Sequence, residues 1–260
     1  MSLRDKPNIF TIAPGAPFLP TLAKSLMDGT LVPGFKAGGD PLTLASATIY
    51  VPTRRAARAL RSEFAQLSGV NAAILPSIQP LGEFDDDFDL SSGSLTLAPP
   101  IGREERLVQL ARLVRQWAQA LPEATRTLFG TDPVLLPSTS ADAIWLARNL
   151  ADLMDEAERE RGDWTKLKDL VPEDHANWWQ LTLGFMQIVT EHWPHHLAEK
   201  GLSDAVAHRN ALIGAEAHRL ASPASQGPVI DAGAPGSMPA TAELLKGLPR
   251  FPNGALVLPG

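Results

Sequence analysis

The chain has 260 residues, 44% apolar and 20% charged, with a net charge of −6, a composition that fits one large or two modest globular domains. It has no cysteine, which excludes disulfides, thiolate-bound zinc and iron–sulfur ligation within this chain. No apolar run approaches a membrane span, and the polar Met1–Lys6 start lacks the apolar core of a secretory signal; the reading from composition is a cytoplasmic protein without membrane association.

The charge is unevenly spread. Residues 1–62 carry eight Lys/Arg and three Asp/Glu, whereas residues 63–102 carry six acids and no Lys/Arg. The acidic total argues against strong nonspecific nucleic-acid binding by the whole chain. The basic N-terminal segment is the one region that escapes this objection.

Asn8 to Leu26 reads NIFTIAPGAPFLPTLAKSL. Ile9–Ala13 predicts a strand, Pro14-Gly15-Ala16-Pro17 a turn and Leu19–Met27 a helix, the order in which many nucleotide-binding domains open. The turn lacks the lysine for phosphates and the hydroxyl for magnesium, and Pro14 and Pro17 each delete an amide donor. No Gly-x-x-x-x-Gly-Lys-Ser/Thr occurs in the chain. Pro14, Gly15, Ala16 and Pro17 therefore read as a degenerate nucleotide loop, with a strand–turn–helix frame but without the donors of a phosphate cradle.

Strands are next predicted at Ala47–Val51 and Ala73–Ile78, and a helix at Arg55–Leu67; strands alternating with helices predict a parallel sheet. In YVPTRRAARALR a strand ends at Val51 and a basic helix begins. Thr53 is placed to cap that helix, whose first amides can meet a phosphate. Arg54, Arg58 and Arg61 fall at i, i+4 and i+7 on one face, with Arg55 beside them. Two readings stay open: contact with a nucleic-acid backbone through arginine forks, or a solvated basic face paired with the acids of residues 83–89. Those acids lack calcium-loop spacing and read as a solvated loop.

From Gly102 the period becomes helical. Helices are predicted at Arg103–Ala120, Ala141–Arg161, Asn177–Val189 and Ser203–Leu220, with Ser140 and Ser203 as N-caps. His192, His195 and His196 with Glu191 and Glu199 suggest a metal, but Pro194 interrupts the helix that would align them and the order is not His-Glu-x-x-His. After residue 222 the α/β texture returns. Val229-Ile230-Asp231 ends a strand and leads into AGAPGSMPAT, where Gly233 permits close approach and Ser237 or Thr241 is available to donate to a ligand oxygen. Asp231 also has the form of the strand-ending acid that holds magnesium in NTPases, though no Glu follows it. A helix is predicted at Pro239–Leu248 and a strand at the end of the chain; a strand with no following helix suggests a piece of a longer protein. The predicted organisation is an α/β domain over 1–100 and 222–260, interrupted by a helical insertion over 101–221.

Three segments taken together, FTIAPGAPFLPTLAKSL, ATIYVPTRRAARALRSEF and VIDAGAPGSMPATAELLKGL with NGALVLPG, resemble the N-terminal region of the AddB family, in its alphaproteobacterial form. AddB is a subunit of the AddAB helicase–nuclease of double-strand break repair. The resemblance follows the chain in order, with the helical middle matched mainly by texture. It implies a RecA-like, superfamily-1-type helicase domain interrupted by a helical subdomain. It implies single-stranded DNA contacts at Thr53, Arg54 and Arg55, extended to Arg58 and Arg61 by the shared face, and a second contact segment at Gly233, Ser237 and Thr241. It further implies an AddA-like motor subunit and single- or double-stranded DNA as partners. The ATP, Mg2+ and iron–sulfur cluster of the parent complex would lie outside this chain, which is expected to hold no cofactor or metal and to carry no catalytic residue. The alternatives are a protein–protein scaffold without DNA contact, or a nucleotide-binding enzyme whose atypical loop borrows a cation such as Arg54 at Gly15.

Overall fold

A computed structural model describes residues 6–37, 41–68, 74–81, 97–123, 126–127, 136–164, 166, 176–221, 227–234 and 236–260. The chain divides into two compact units, Met1–Leu95 with Ala211–Gly260, and Thr96–Asn210. The division falls inside a helix, eleven residues before the end of the expected insertion.

The first unit is α/β. Its strands are β1 (Ile9–Ile12), β2 (Thr48–Val51), β3 (Ser77–Pro80), β4 (Val229–Ala232) and β5 (Gly254–Pro259), all parallel in the order β1-β5-β4-β2-β3. Helices α1 (Phe18–Met27), α2 (Pro41–Ala45) and α3 (Arg54–Ser68) belong to the same unit. Alternation along the strands sends Ile49, Val51, Ile230 and Val257 to one face, where they bury against Leu22 and Leu26 of α1 and Leu60 and Phe64 of α3. Buried on both faces, β4 reads as an uninterrupted run except for Asp231.

The strand expected at Ala73–Ile78 begins later. Ala73 lies outside the described residues, and Ile74 is half exposed. Pro76 has no N–H to give a ladder, so pairing with β2 starts at Ser77, whose N–H donates to Ala47 O at 2.9 Å.

The second unit is helical: α4 (Arg103–Ala120), α5 (Ser140–Arg159), α6 (Ala176–Gln187), a π-helical turn (Ile188–His192), α7 (Trp193–Lys200) and the start of α8 (Ala205–Ala221). Leu110, Val114, Ala147, Leu150 and Ile188 form its core. Trp117 packs edge-on against Phe185, ring centroids 4.9 Å apart. Two cap assignments change. Thr139, not Ser140, caps α5: its hydroxyl accepts from Asp142 N at 3.1 Å, while the Asp142 carboxylate accepts from Thr139 N at 2.8 Å, a capping box. Ser203 instead donates its hydroxyl to Ala98 O and bridges to Pro100, and the helix begins two residues later. Pro194 does not break the chain's helical path either. The π-helical turn before it absorbs the missing N–H.

The first unit is completed by the rest of α8, by α9 (Pro239–Gly247) and by a 3-10 turn (Leu248–Arg250).

Candidate functional site

The strand order identifies where a ligand would sit. β2 and β4 are hydrogen-bonded neighbours, with Thr48 opposite Val229 and Tyr50 opposite Asp231. After β2 the chain passes through α3 toward β3; after β4 it passes through α9 toward β5, in the opposite direction across the sheet. Right-handed crossovers then place α3 and α9 on opposite faces. The carboxyl ends of β2 and β4 thus flank a topological switch point, where open α/β sheets bind ligands.

The loop after β2 is short because Thr53 stops it. Its Oγ1 accepts from Ala56 N at 3.1 Å, and its carbonyl accepts the Ala57 N–H at 3.0 Å, so Thr53 is the N-cap of α3. The four arginines separate by environment. Arg55 and Arg58 are exposed. Arg54 is half-buried and engaged with a neighbour. Arg61 spends its guanidinium on the fold, donating from Nη2 to Ile78 O at 2.8 Å and tying α3 to β3. The acids of residues 83–89, the alternative partners of this face, lie outside the described residues.

The loop after β4 is organised by Asp231. Its Oδ1 accepts from Ala234 N at 3.1 Å. Burial raises its pKa to about 7, opposed by the Ala234 and Gly233 N–H groups. The residue is fully buried, and its second oxygen has no hydrogen-bond partner. Gly233 turns the chain at φ +73°, and a Cβ there would come within 3.3 Å of Pro259 Cδ and 3.9 Å of Phe18 Cζ. This glycine is therefore required both for its left-handed backbone and for close packing against the ends of β5 and α1. Ser237 is exposed. Thr241 is fully buried in the first turn of α9 with its hydroxyl unpartnered, so it does not present that hydroxyl to a ligand in solution.

The turn after β1 lies at the same sheet edge, and residues 13–17 are exposed. Gly15 has φ +86° with open space around a hypothetical Cβ, so it serves the turn rather than a tight approach. Ala16 N donates to Ala13 O at 3.1 Å. With Pro14 and Pro17 lacking N–H groups, Gly15 is the only one of these four residues whose amide remains for an anion.

A buried network behind this edge was not foreseen. Tyr50 Oη donates to Glu216 Oε1 at 2.5 Å, and Arg219 clasps the same carboxylate with Nε and Nη2, both at 2.6 Å. Desolvation first, then the Glu216 charge and hydrogen bond, push the Tyr50 pKa far upward. The only sequence signal was a lone tyrosine, the single one in the chain, inside an otherwise apolar strand.

The histidine group divides. His195 pairs with Glu199 at 3.2 Å on the surface, while His196 stacks on Trp193. Among the described residues no group of three or more metal-ligating side chains comes together, and no helix is long and apolar enough to cross a membrane. No protein-family model matches the chain, and no curated protein matches it significantly.

Proposed function

We propose that the α/β unit is a RecA-like, non-motor helicase-like domain that positions single-stranded DNA within a double-strand break repair helicase–nuclease of the AddAB kind. The observation that carries this reading is the pairing of β2 with β4, which puts the Thr53-Arg54-Arg55 turn and the Gly233-Ala234 turn on adjacent strand ends. A capped helix N-terminus with exposed Arg55 and Arg58 offers amides and guanidinium forks to phosphates. The five-stranded parallel sheet and the acid at the end of β4 agree with a RecA-like origin. The turn after β1 offers one free amide at most, which supports loss of the ATP site and leaves the motor role to an AddA-like partner. A cytoplasmic location belongs to the same reading.

A second reading, a protein-binding scaffold, draws on the net charge of −6 and on half-exposed Val108, Trp145 and Leu153 of the helical unit. Titration of a labelled oligothymidylate at low salt separates the two. DNA positioning predicts saturable binding weakened by Arg55→Ala and Arg58→Ala. Absence of binding at low salt rejects direct contact and leaves the scaffold. Saturable, magnesium-dependent ATP binding would overturn the inactive-loop assignment.

A further inference from the structure

Apart from the sheet edge, the helical unit contains a cavity of about 460 Å³. Its apolar wall includes Met154, Val189 and Leu197, with the indoles of Trp164 and Trp193. Among the described residues its lining also includes one cation, Arg106, and three carboxylates, Asp155, Glu158 and Asp204.

Arg106 is 8% exposed and already doubly matched: Nη1 lies 2.7 Å from Asp155 Oδ1, and Nε lies 2.7 Å from Asp204 Oδ1. A guanidinium so neutralised has little attraction left for an anion. The contact to Asp204 is close but misaligned, and leaves Asp204 Oδ1 without a hydrogen-bond donor. The other Asp204 oxygen accepts from Trp193 Nε1 at 2.6 Å. Glu158 stands exposed at the rim. The cavity therefore combines a surplus of carboxylates over cations among its described lining residues with two aromatic rings. An indole beside carboxylates favours a cation over a neutral or anionic group.

We propose that this cavity binds an organic cation, a guanidinium or ammonium group on a short apolar stem. The head would donate to Asp204 Oδ1 and face Asp155 and Glu158, while the stem lies against Leu197 and the tryptophans. This chemistry is supplied either by an arginine or lysine side chain of a partner protein or by a free alkylamine.

The test is calorimetric titration of the full chain with n-butylguanidinium, its neutral isostere n-butylurea, and acetyl-Gly-Arg-Gly-amide, with the Trp193 indole N–H followed by NMR. The expected result is saturable binding of the guanidinium at least about tenfold tighter than of the urea, with a shifted Trp193 resonance. Glu158→Gln, at the exposed rim, should weaken binding about three- to fivefold without moving the unfolding midpoint. Ala198→Trp, an exposed position lining the cavity, should abolish it. Comparable binding of the arginine peptide identifies a presented side chain, and binding of the free cation alone a small amine; each sustains the proposal. Equal affinity for the urea, indifference to Ala198→Trp, or no saturable signal at roughly 10 mM would overturn it.

Discussion

Tyr50 on β2 and Glu216 on α8 are joined by a 2.5 Å hydrogen bond across 166 residues of sequence. Tyr50 is fully buried and Glu216 is 3% exposed. Arg219, whose side chain is partly exposed, balances the carboxylate. A buried carboxylate is tolerable only while its partners remain. Glu216→Ala should cost roughly 2–4 kcal/mol, and Tyr50→Phe, which leaves the ion pair intact, roughly 1–2 kcal/mol. Urea unfolding of both variants measures the difference; equal losses would contradict this division of roles.

The same contact predicts an alkaline signature. Tyr50 is the only tyrosine, so tyrosinate absorbance reports on it alone. Its folded pKa lies well above the unfolded value of about 10, so the native state holds the proton that the unfolded chain releases. This contribution is complete below about pH 10 and falls as pH rises beyond it. Tyrosinate should appear together with unfolding, not before it. A titration near the ordinary tyrosine pKa in a folded chain would refute the buried placement.

Asp231 shows the same sign of linkage at lower pH. Its folded pKa, raised from 3.8 to about 7, means that the native state binds the extra proton between those values. Its contribution is complete below about pH 4 and is lost as pH rises to 7. Asp231→Asn keeps an oxygen for the Ala234 N–H and removes the buried charge, so at pH 8 it should stabilise the protein by roughly 1–3 kcal/mol. Thermal melts at pH 5 and pH 8 would show the gain shrinking at the acidic end.

The arginines of α3 should separate by experiment as they do by environment. Arg61→Ala removes the bond to Ile78 O and should lower stability by roughly 0.5–1.5 kcal/mol with little change in DNA affinity. Arg58→Ala should do the reverse. If both variants lose DNA affinity equally at unchanged stability, the assignment of Arg61 to the fold fails.

The features legible in the sequence were local ones. Helical period marked α4 to its end residues, Thr53 announced the α3 cap, and glycine with proline marked the turns after β1 and β4. Features set by distant partners were not legible. The Ser203 hydroxyl is drawn away from its helix by a backbone segment a hundred residues earlier, and the Thr139 cap won over Ser140 because Asp142 could reciprocate. Glu216 reads as an ordinary helix residue until β2 brings Tyr50 to it. Likewise, Thr241 looked like a ligand contact because composition marks a loop-to-helix junction but not which side of it is buried.

The central claim is a phosphate-backbone contact at the end of β2, and the salt dependence of single-stranded DNA binding tests it most directly. Each phosphate contact contributes about 0.7 to the slope of log affinity against log salt. The account predicts measurable binding at low salt, a slope reduced by about 0.7 in each of Arg55→Ala and Arg58→Ala, and an unchanged slope in Arg61→Ala. No binding at low salt, or the same slope in every variant, would contradict it.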